Sequence, residues 1–585
     1  MKKLYYIAIC SSLILASCSG SKQSGDNVVA NNDTVNINFQ NYTDRFLNAL
    51  WKVEQEWATQ QGYHVYDSLL VMPDDASRKV SMDFVNAALD SLKRYNTTAL
   101  TPSHLTDYKM IENYLKEKQW QIESLKQYTW DPSGYNVTGL IGFMLSSNDQ
   151  PLSVRLENIY KRMQQIPAYY EAAKQQLKDP VDELKALGVD QNLGGLYVFQ
   201  NDFVDSVKAS SFPEDEKYKM LLAAKNAAHA VKGYVDFLKS MKGYTPRSFR
   251  LGKDLYAKKF EFDIQSNLSA EETYKAAVER KAYLHTEMAK ISKQLWPKYF
   301  GQKAMPTDTL ELIGQMMDTL STIHVKPSEF QTAIEKEIPV LIQFIKQKNL
   351  LDIDASKPLV IRKEPGYMAG VAGASISAPG PYDKEGKTYY NVGSLEGWPA
   401  EKAESYLREY NQYILQILCI HEAIPGHYTQ LVYANRAPSM IKSIFGNGAM
   451  VEGWAVYTEQ MMLENGFGNN APEMWLMWYK WHLRTVCNTI LDYSVHAGDM
   501  SKEDAMHLLT KEAFQQQAEA EGKWKRVSVT SVQLTSYFAG YKAIYDLREK
   551  IKTKEGKSFD LRKFHEKFLS YGSAPVKYIS DLMLH

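Results

Sequence analysis

Three features of the sequence predict a mainly helical protein with one small β-sheet. Long stretches such as 214–242 and 270–295 repeat apolar residues every three or four positions with charges between them, the pattern of helices that bury one face. Clusters of Pro and Gly punctuate these stretches, as at Asp131-Pro132-Ser133-Gly134 and Gly243-Tyr244-Thr245-Pro246. One segment, 359–393, breaks the pattern. There Val360, Ile361, Val371, Ile376 and Val392 lie among Gly, Ser and Pro, and Asp383-Lys384-Glu385-Gly386-Lys387 reads as a turn between two short strands.

Taken in chain order, residues 1–17 read as a targeting segment rather than part of the fold. Lys2 and Lys3 give a positive start, and an apolar run over 4–15 follows, too short to span a bilayer as a permanent helix. It ends in Leu15-Ala16-Ser17-Cys18, which resembles the bacterial lipobox, where the signal is cut before a Cys that is then acylated. The competing reading is an ordinary signal peptide with a chance Cys. The stretch 18–38, rich in Ser, Gly, Asn and Asp, reads as a flexible tether. Helical pattern then fills an N-terminal region, 39–350. It resumes near Pro399 in a second region, 351–585, and the two are expected to form one continuous domain.

Composition narrows the function. Lys+Arg and Asp+Glu balance at 68 each, with no basic stripe, so nucleic acid is set aside as a partner. No other stretch approaches the apolar length of a membrane span, which leaves a lipid anchor on Cys18 as the membrane attachment. The chain has four Cys. With Cys10 in the signal and Cys18 acylated, Cys419 and Cys487 remain. Two thiols make no disulfide framework, and both read as small buried apolar residues. No obligate protein partner is expected.

The chemistry concentrates at His421-Glu422-Ala423-Ile424-Pro425-Gly426-His427. In the H-E-x-x-H pattern, two His four apart share one helix face and one zinc ion, and the Glu is the general base. Here the second His lies six residues on. On a regular helix that is about 240° around the axis, too far round to share an ion. Pro removes a helical hydrogen bond and Gly admits unusual backbone angles, so Pro425-Gly426 can absorb the two extra residues as a kink. A third ligand is then needed, and Glu452 in Glu452-Gly453-Trp454-Ala455-Val456-Tyr457, followed by Glu459, supplies a carboxylate from a later helix. The small Gly453 and Ala455 would let that helix approach the first closely.

These residues resemble the signatures of a large bacterial domain-of-unknown-function family, often lipoproteins, regarded as zincin-like metallopeptidases. The resemblance extends to Val360-Ile361-Arg362-Lys363-Glu364-Pro365, to Tyr389-Tyr390-Asn391, to Leu491-Asp492-Tyr493-Ser494-Val495-His496, to Arg526, and to Gln533 through Tyr537 and Gly540. It departs at Tyr428 and at Asn488, where the family often has His and Arg. The helical build is also similar to that of two-lobed, cleft-bearing peptidases of the angiotensin-converting type, which implies a large two-lobed bundle enclosing a cleft.

The resemblance implies a zinc-dependent hydrolase of peptide bonds, with Zn2+ on His421, His427 and Glu452 and with Glu422 as base. His496 and Tyr537 are candidate donors to the oxyanion, and Asp492 would orient His496. The strand at Tyr389, Tyr390 and Asn391 would pair with an extended substrate as edge strands do. Arg484 and Arg526 are candidates for its carboxylate. A zinc amidase or esterase acting on other bonds is the alternative in the same class. A glycan-binding surface lipoprotein, suggested by 38 Tyr and 11 Trp, is the alternative in another. The expected location is the outer membrane by its lipid anchor, on the periplasmic side, with the cell surface as the alternative.

Overall fold

The computed structural model describes residues 26–364 and 374–584, with side chains from residue 33. The signal segment and Cys18 lie outside them. The protein is mainly helical, with one three-stranded sheet, as the periodicity predicts.

Two large apolar cores, with two small clusters beside them, divide the described residues into lobes. The larger takes Phe39, Trp51, Ile111 and Leu115 from the start of the chain and packs them with Ile414, Trp454, Leu483 and Phe568 from its end. The smaller is built from residues 135–241 with Leu70, around Ile141, Ile159, Phe199 and Val231. Position 350 is therefore no structural boundary: the second lobe is an excursion from the first half, and the main body needs both halves. The expected tether also ends early. A helix runs Asp26–Val53. Asn36 fixes it by accepting from the Thr101 backbone N–H and donating to the Ala99 carbonyl, and Phe39 and Tyr42 bury its inner face.

The sheet lies in the predicted segment. Its strands are β1 Leu359–Lys363, β2 Ala374–Ser377 and β3 Thr388–Val392, in the order β1-β3-β2. The expected turn falls between β2 and β3, which pair antiparallel, while β1 pairs parallel with β3. β2 packs on the helix Gln412–Glu422. β3 is thus the middle strand and both its edges are used, so it cannot take a substrate strand as expected; among the described residues the free edges belong to β1 and β2.

Besides the short helix that begins at His427, four helices carry the site. Asn411 starts Gln412–Glu422 by accepting from the backbone N–H of Tyr413 and Ile414. Asn447 starts Gly448–Glu464 by accepting from Met450 N–H at 2.8 Å, and it also donates to the Asp263 carbonyl. Against this second helix packs Ser536–Glu555, where Gly453 meets Gly540: a Cβ on Gly540 would stand 1.7 Å from the Ala449 carbonyl oxygen. The small residue after Glu452 therefore admits this helix, not the His421 helix, and the close crossing brings Tyr537 beside Glu452. The fourth helix, Pro472–His496, lends Trp481.

Candidate metal centre

The helix Gln412–Glu422 stops one residue after His421, and a new helix, His427–Ala434, begins on the second histidine. The turn between them doubles back tightly. Gly426 N–H donates to the Ile420 carbonyl at 3.0 Å, and a Cβ on Gly426 would lie 1.8 Å from the His421 carbonyl oxygen, so only glycine fits. Trp454, wholly buried, clamps the turn by donating its indole N–H to the Pro425 carbonyl at 2.8 Å. The expected kink is thus a full break between two helices. It has the expected effect: the His421 and His427 rings stand 4.8 Å apart, nearly perpendicular.

Glu452 completes a cluster of three. Its Oε2 lies 3.3 Å from His427 Nε2 and 3.7 Å from His421 Nε2, and one ligand atom from each residue falls within 4.8 Å of the others. Ligands about 2.0–2.1 Å from a tetrahedral zinc ion sit about 3.3 Å from one another, which the 3.3 Å separation matches and the 3.7 Å separation approaches. Glu452 Oε2 is also buried without a hydrogen bond. Such an orphaned acceptor costs on the order of 1–3 kcal/mol, and a cation held by the three groups removes that cost.

A fourth residue holds the cluster from behind. Glu459 Oε1 lies 2.7 Å from His421 Nδ1 and accepts from Trp481 Nε1 at 3.1 Å. A carboxylate there fixes the ring orientation and leaves Nε2 facing Glu452. Sequence reasoning assigns Glu459 no role. Its signal is the seven-residue spacing from Glu452, two helical turns on one face.

The electrostatics follow from burying so many charges together. Burial alone would lower the His421 pKa, but Glu452 and Glu459 outweigh it and hold the imidazole up at about 10. Burial would raise the Glu452 carboxyl, yet the two imidazoles keep it well below the usual range. Burial raises Glu422 and the imidazoles only partly reverse this, so it is a stronger base than a surface Glu. The Tyr537 ring stacks on His421 at 6.4 Å. Burial and then the Glu452 charge push its hydroxyl up to about 12, so it stays a protonated donor.

Other candidates fall elsewhere. His496 lies 15 positions beyond Trp481 on the same helix, roughly 22 Å along it. Its Nε2 faces the carbonyls of Val527 and Thr530 at 2.8 and 2.9 Å, a structural tie rather than an oxyanion donor. Asp492 Oδ1 stands 3.8 Å from His496 Nε2, while its carboxylate accepts from Val532 N–H and the Thr535 hydroxyl at 3.2 Å each. Arg484 is engaged by Glu519. Asn391 is buried and hydrogen-bonds Arg362, Ser375 and Ser377. Tyr390 is wholly buried in the core, and the Tyr389 ring carries the Arg362 guanidinium at 3.9 Å. Arg526 is at the site, donating to the Tyr537 hydroxyl at 3.3 Å. Of the two departures, Tyr428 donates to the Lys357 carbonyl and Asn488 is buried within its helix. Cys419 and Cys487 are free and buried, as expected.

A cavity of about 670 Å³ adjoins the centre, with Glu452, Gln533, Tyr114, Glu117, Lys259 and Asp263 in its wall. Among the described residues no helix is long and apolar enough to cross a membrane.

No curated protein matches the chain. Among solved structures it is similar to a candidate lipoprotein of unknown function from Shewanella oneidensis. The two are 50% identical, the match covers 94% of this chain and 100% of that one, and the TM-score is 0.84. A candidate lipoprotein from Colwellia psychrerythraea is 15% identical, with 95% and 99% covered and a TM-score of 0.74, which shows a shared fold. The family model described as "Bacterial protein of unknown function (DUF885)" matches residues 56–583, and the chain belongs to that family.

Proposed function

We propose that this protein is a zinc-dependent hydrolase of peptide bonds, held by a lipid on Cys18 at the periplasmic side of the outer membrane. The observation that carries the reading is the convergence of His421, His427 and Glu452, with Glu422 next in sequence and close enough to both imidazoles for their charges to act on it. Two nitrogens and one carboxylate make a donor set suited to catalytic zinc. Bound there, the ion would acidify a water and polarise the scissile carbonyl.

The remaining roles belong to the chain's own groups. Glu422 takes the proton of the attacking water and later passes it to the leaving amine. Tyr537, protonated and next to Glu452, donates to the oxygen that gains charge. Glu459 keeps His421 oriented. The adjoining cavity is large enough for a short peptide, and β2, an edge strand packed on the His421 helix, offers main-chain groups to an extended one.

The reading is tested on the purified protein with a mixed peptide library and mass spectrometry. About one zinc per chain and new peptide products that vanish with chelator and return with zinc are expected. Zinc-loaded protein that leaves every peptide intact would refute it. Membrane attachment should need Cys18, so Cys18→Ala should release the protein into the soluble fraction.

A further inference from the structure

Beside the metal centre lies a partly buried group of four cations and two carboxylates. Lys480 pairs with Glu409 at 2.8 Å, Arg484 with Glu519, and Lys523 reaches Glu519 at 4.0 Å. Arg526 is close enough to act on the Lys523 charge, yet no carboxylate among the described residues pairs with it. Its two hydrogen bonds go to neutral groups, Gln533 Oε1 at 2.6 Å and the Tyr537 hydroxyl at 3.3 Å, and both leave from Nη2. The Nε and Nη1 donors take no bond from any described residue.

The position gives this unpaired charge a use. Tyr537 stacks on His421, and Gln533 shares a cavity wall with Glu452, so one residue separates the guanidinium from the centre on either route. A half-buried cation without a counter-ion is unfavourable, and a guanidinium with open donors is shaped for a carboxylate.

Resting on the peptide-hydrolase reading above, we propose that Arg526 binds the C-terminal carboxylate of the substrate. The scissile carbonyl must sit beside Tyr537, which Arg526 touches. That short reach places cleavage one or two residues from the C-terminus and makes the enzyme a carboxypeptidase or peptidyl-dipeptidase. An acidic side chain of the substrate has the same chemistry, and the test separates the two sources.

The test uses the zinc-loaded full chain and a library of N-acetylated pentapeptides without Asp or Glu, each made as the free acid and as the C-terminal amide. A second library carries one internal Glu and an amidated end. The wild type should cleave the acids about 100-fold faster than either amide set, the scale of one charged hydrogen-bonded contact, and should release one or two C-terminal residues. Arg526→Gln should abolish the preference for acids over amides, while Arg526→Lys should keep part of it. Faster cleavage of the internal-Glu amides would assign Arg526 to an acidic side chain and overturn the proposal, as would equal cleavage of acids and amides.

Calorimetric binding of the same peptides to the metal-free protein separates the two readings. Acid-selective binding that Arg526→Gln abolishes, with no cleavage by the zinc-loaded protein, sinks the hydrolase reading and leaves a carboxylate site. Cleavage without acid preference sinks the carboxylate site and leaves the hydrolase.

Discussion

Glu459 Oε1 lies 2.7 Å from His421 Nδ1, and Glu459 is wholly buried two helical turns beyond Glu452. One helix therefore contributes both a direct ligand candidate and the carboxylate that aims a second one. This gives Glu459 no contact with substrate but a strong hold on the centre. Glu459→Gln keeps the size and loses the charge, and it should weaken zinc binding about 10-fold, the low end for a partner behind a histidine ligand. Competition with a chelator measures it. Unchanged affinity would mean that the 2.7 Å contact serves folding alone.

The crossing of the Gly448–Glu464 and Ser536–Glu555 helices should be intolerant of any side chain. Gly540→Ala sets a methyl 1.7 Å from the Ala449 carbonyl oxygen, where only backbone can move. A loss of about 2 kcal/mol or more is expected, as for overpacked cores, together with weaker zinc binding because Tyr537 and Glu452 shift with their helices. Gly522→Ala is the control. It lies in the helix Gln517–Val529 with nothing within 4 Å of its added Cβ, and it should stabilise by about 0.5–1 kcal/mol. Thermal melts of the two variants should move in opposite directions.

The pH dependence of the metal-free protein follows from His421 and Glu452. His421 is raised from 6.5 to about 10, so its stabilising contribution is complete below pH 6.5 and disappears as pH climbs through about 10. Glu452 is depressed, so its contribution is present above its ordinary value of 4.5 and is lost only in acid. Melting of the metal-free protein should therefore fall steadily from pH 6.5 to 10. Zinc replaces the proton on His421, so the loaded protein should lack this slope, and binding at pH 8 should release a proton. Melts with and without chelator, and calorimetry in two buffers, measure both effects. A flat metal-free profile would contradict the charge assignment.

Much of the fold and the core of the site could be read from residue order because the deciding signals are local. Helical periodicity, the break at 359–393 and the Pro-Gly insertion before His427 each act within a few residues, and each appears in the structure. What escaped depends on long-range packing. Nothing local to Tyr389–Asn391 says that β1 will arrive in parallel and make β3 the central strand. Gly453 announces a close approach but not that Gly540 is the partner. His496 and Asp492 sit four apart on one helix face, as an orienting pair would, yet the backbone of Val527, Thr530 and Val532 claims both. The division into two cores is illegible for the same reason: amphipathic helices all bury one face, and periodicity does not say against which neighbour.

The central claim, that His421, His427 and Glu452 hold a zinc ion while Glu422 acts on water, is tested most directly by zinc content. Wild type, His421→Ala, His427→Ala, Glu422→Gln and Glu452→Gln are loaded with zinc, dialysed together and measured by mass spectrometry. The wild type and Glu422→Gln should each keep about one zinc per chain, because a base is not a ligand. The two histidine variants should retain almost none, and Glu452→Gln should retain far less than wild type. If Glu422→Gln loses the metal while Glu452→Gln keeps it, or if both histidine variants stay loaded, the assignment is wrong.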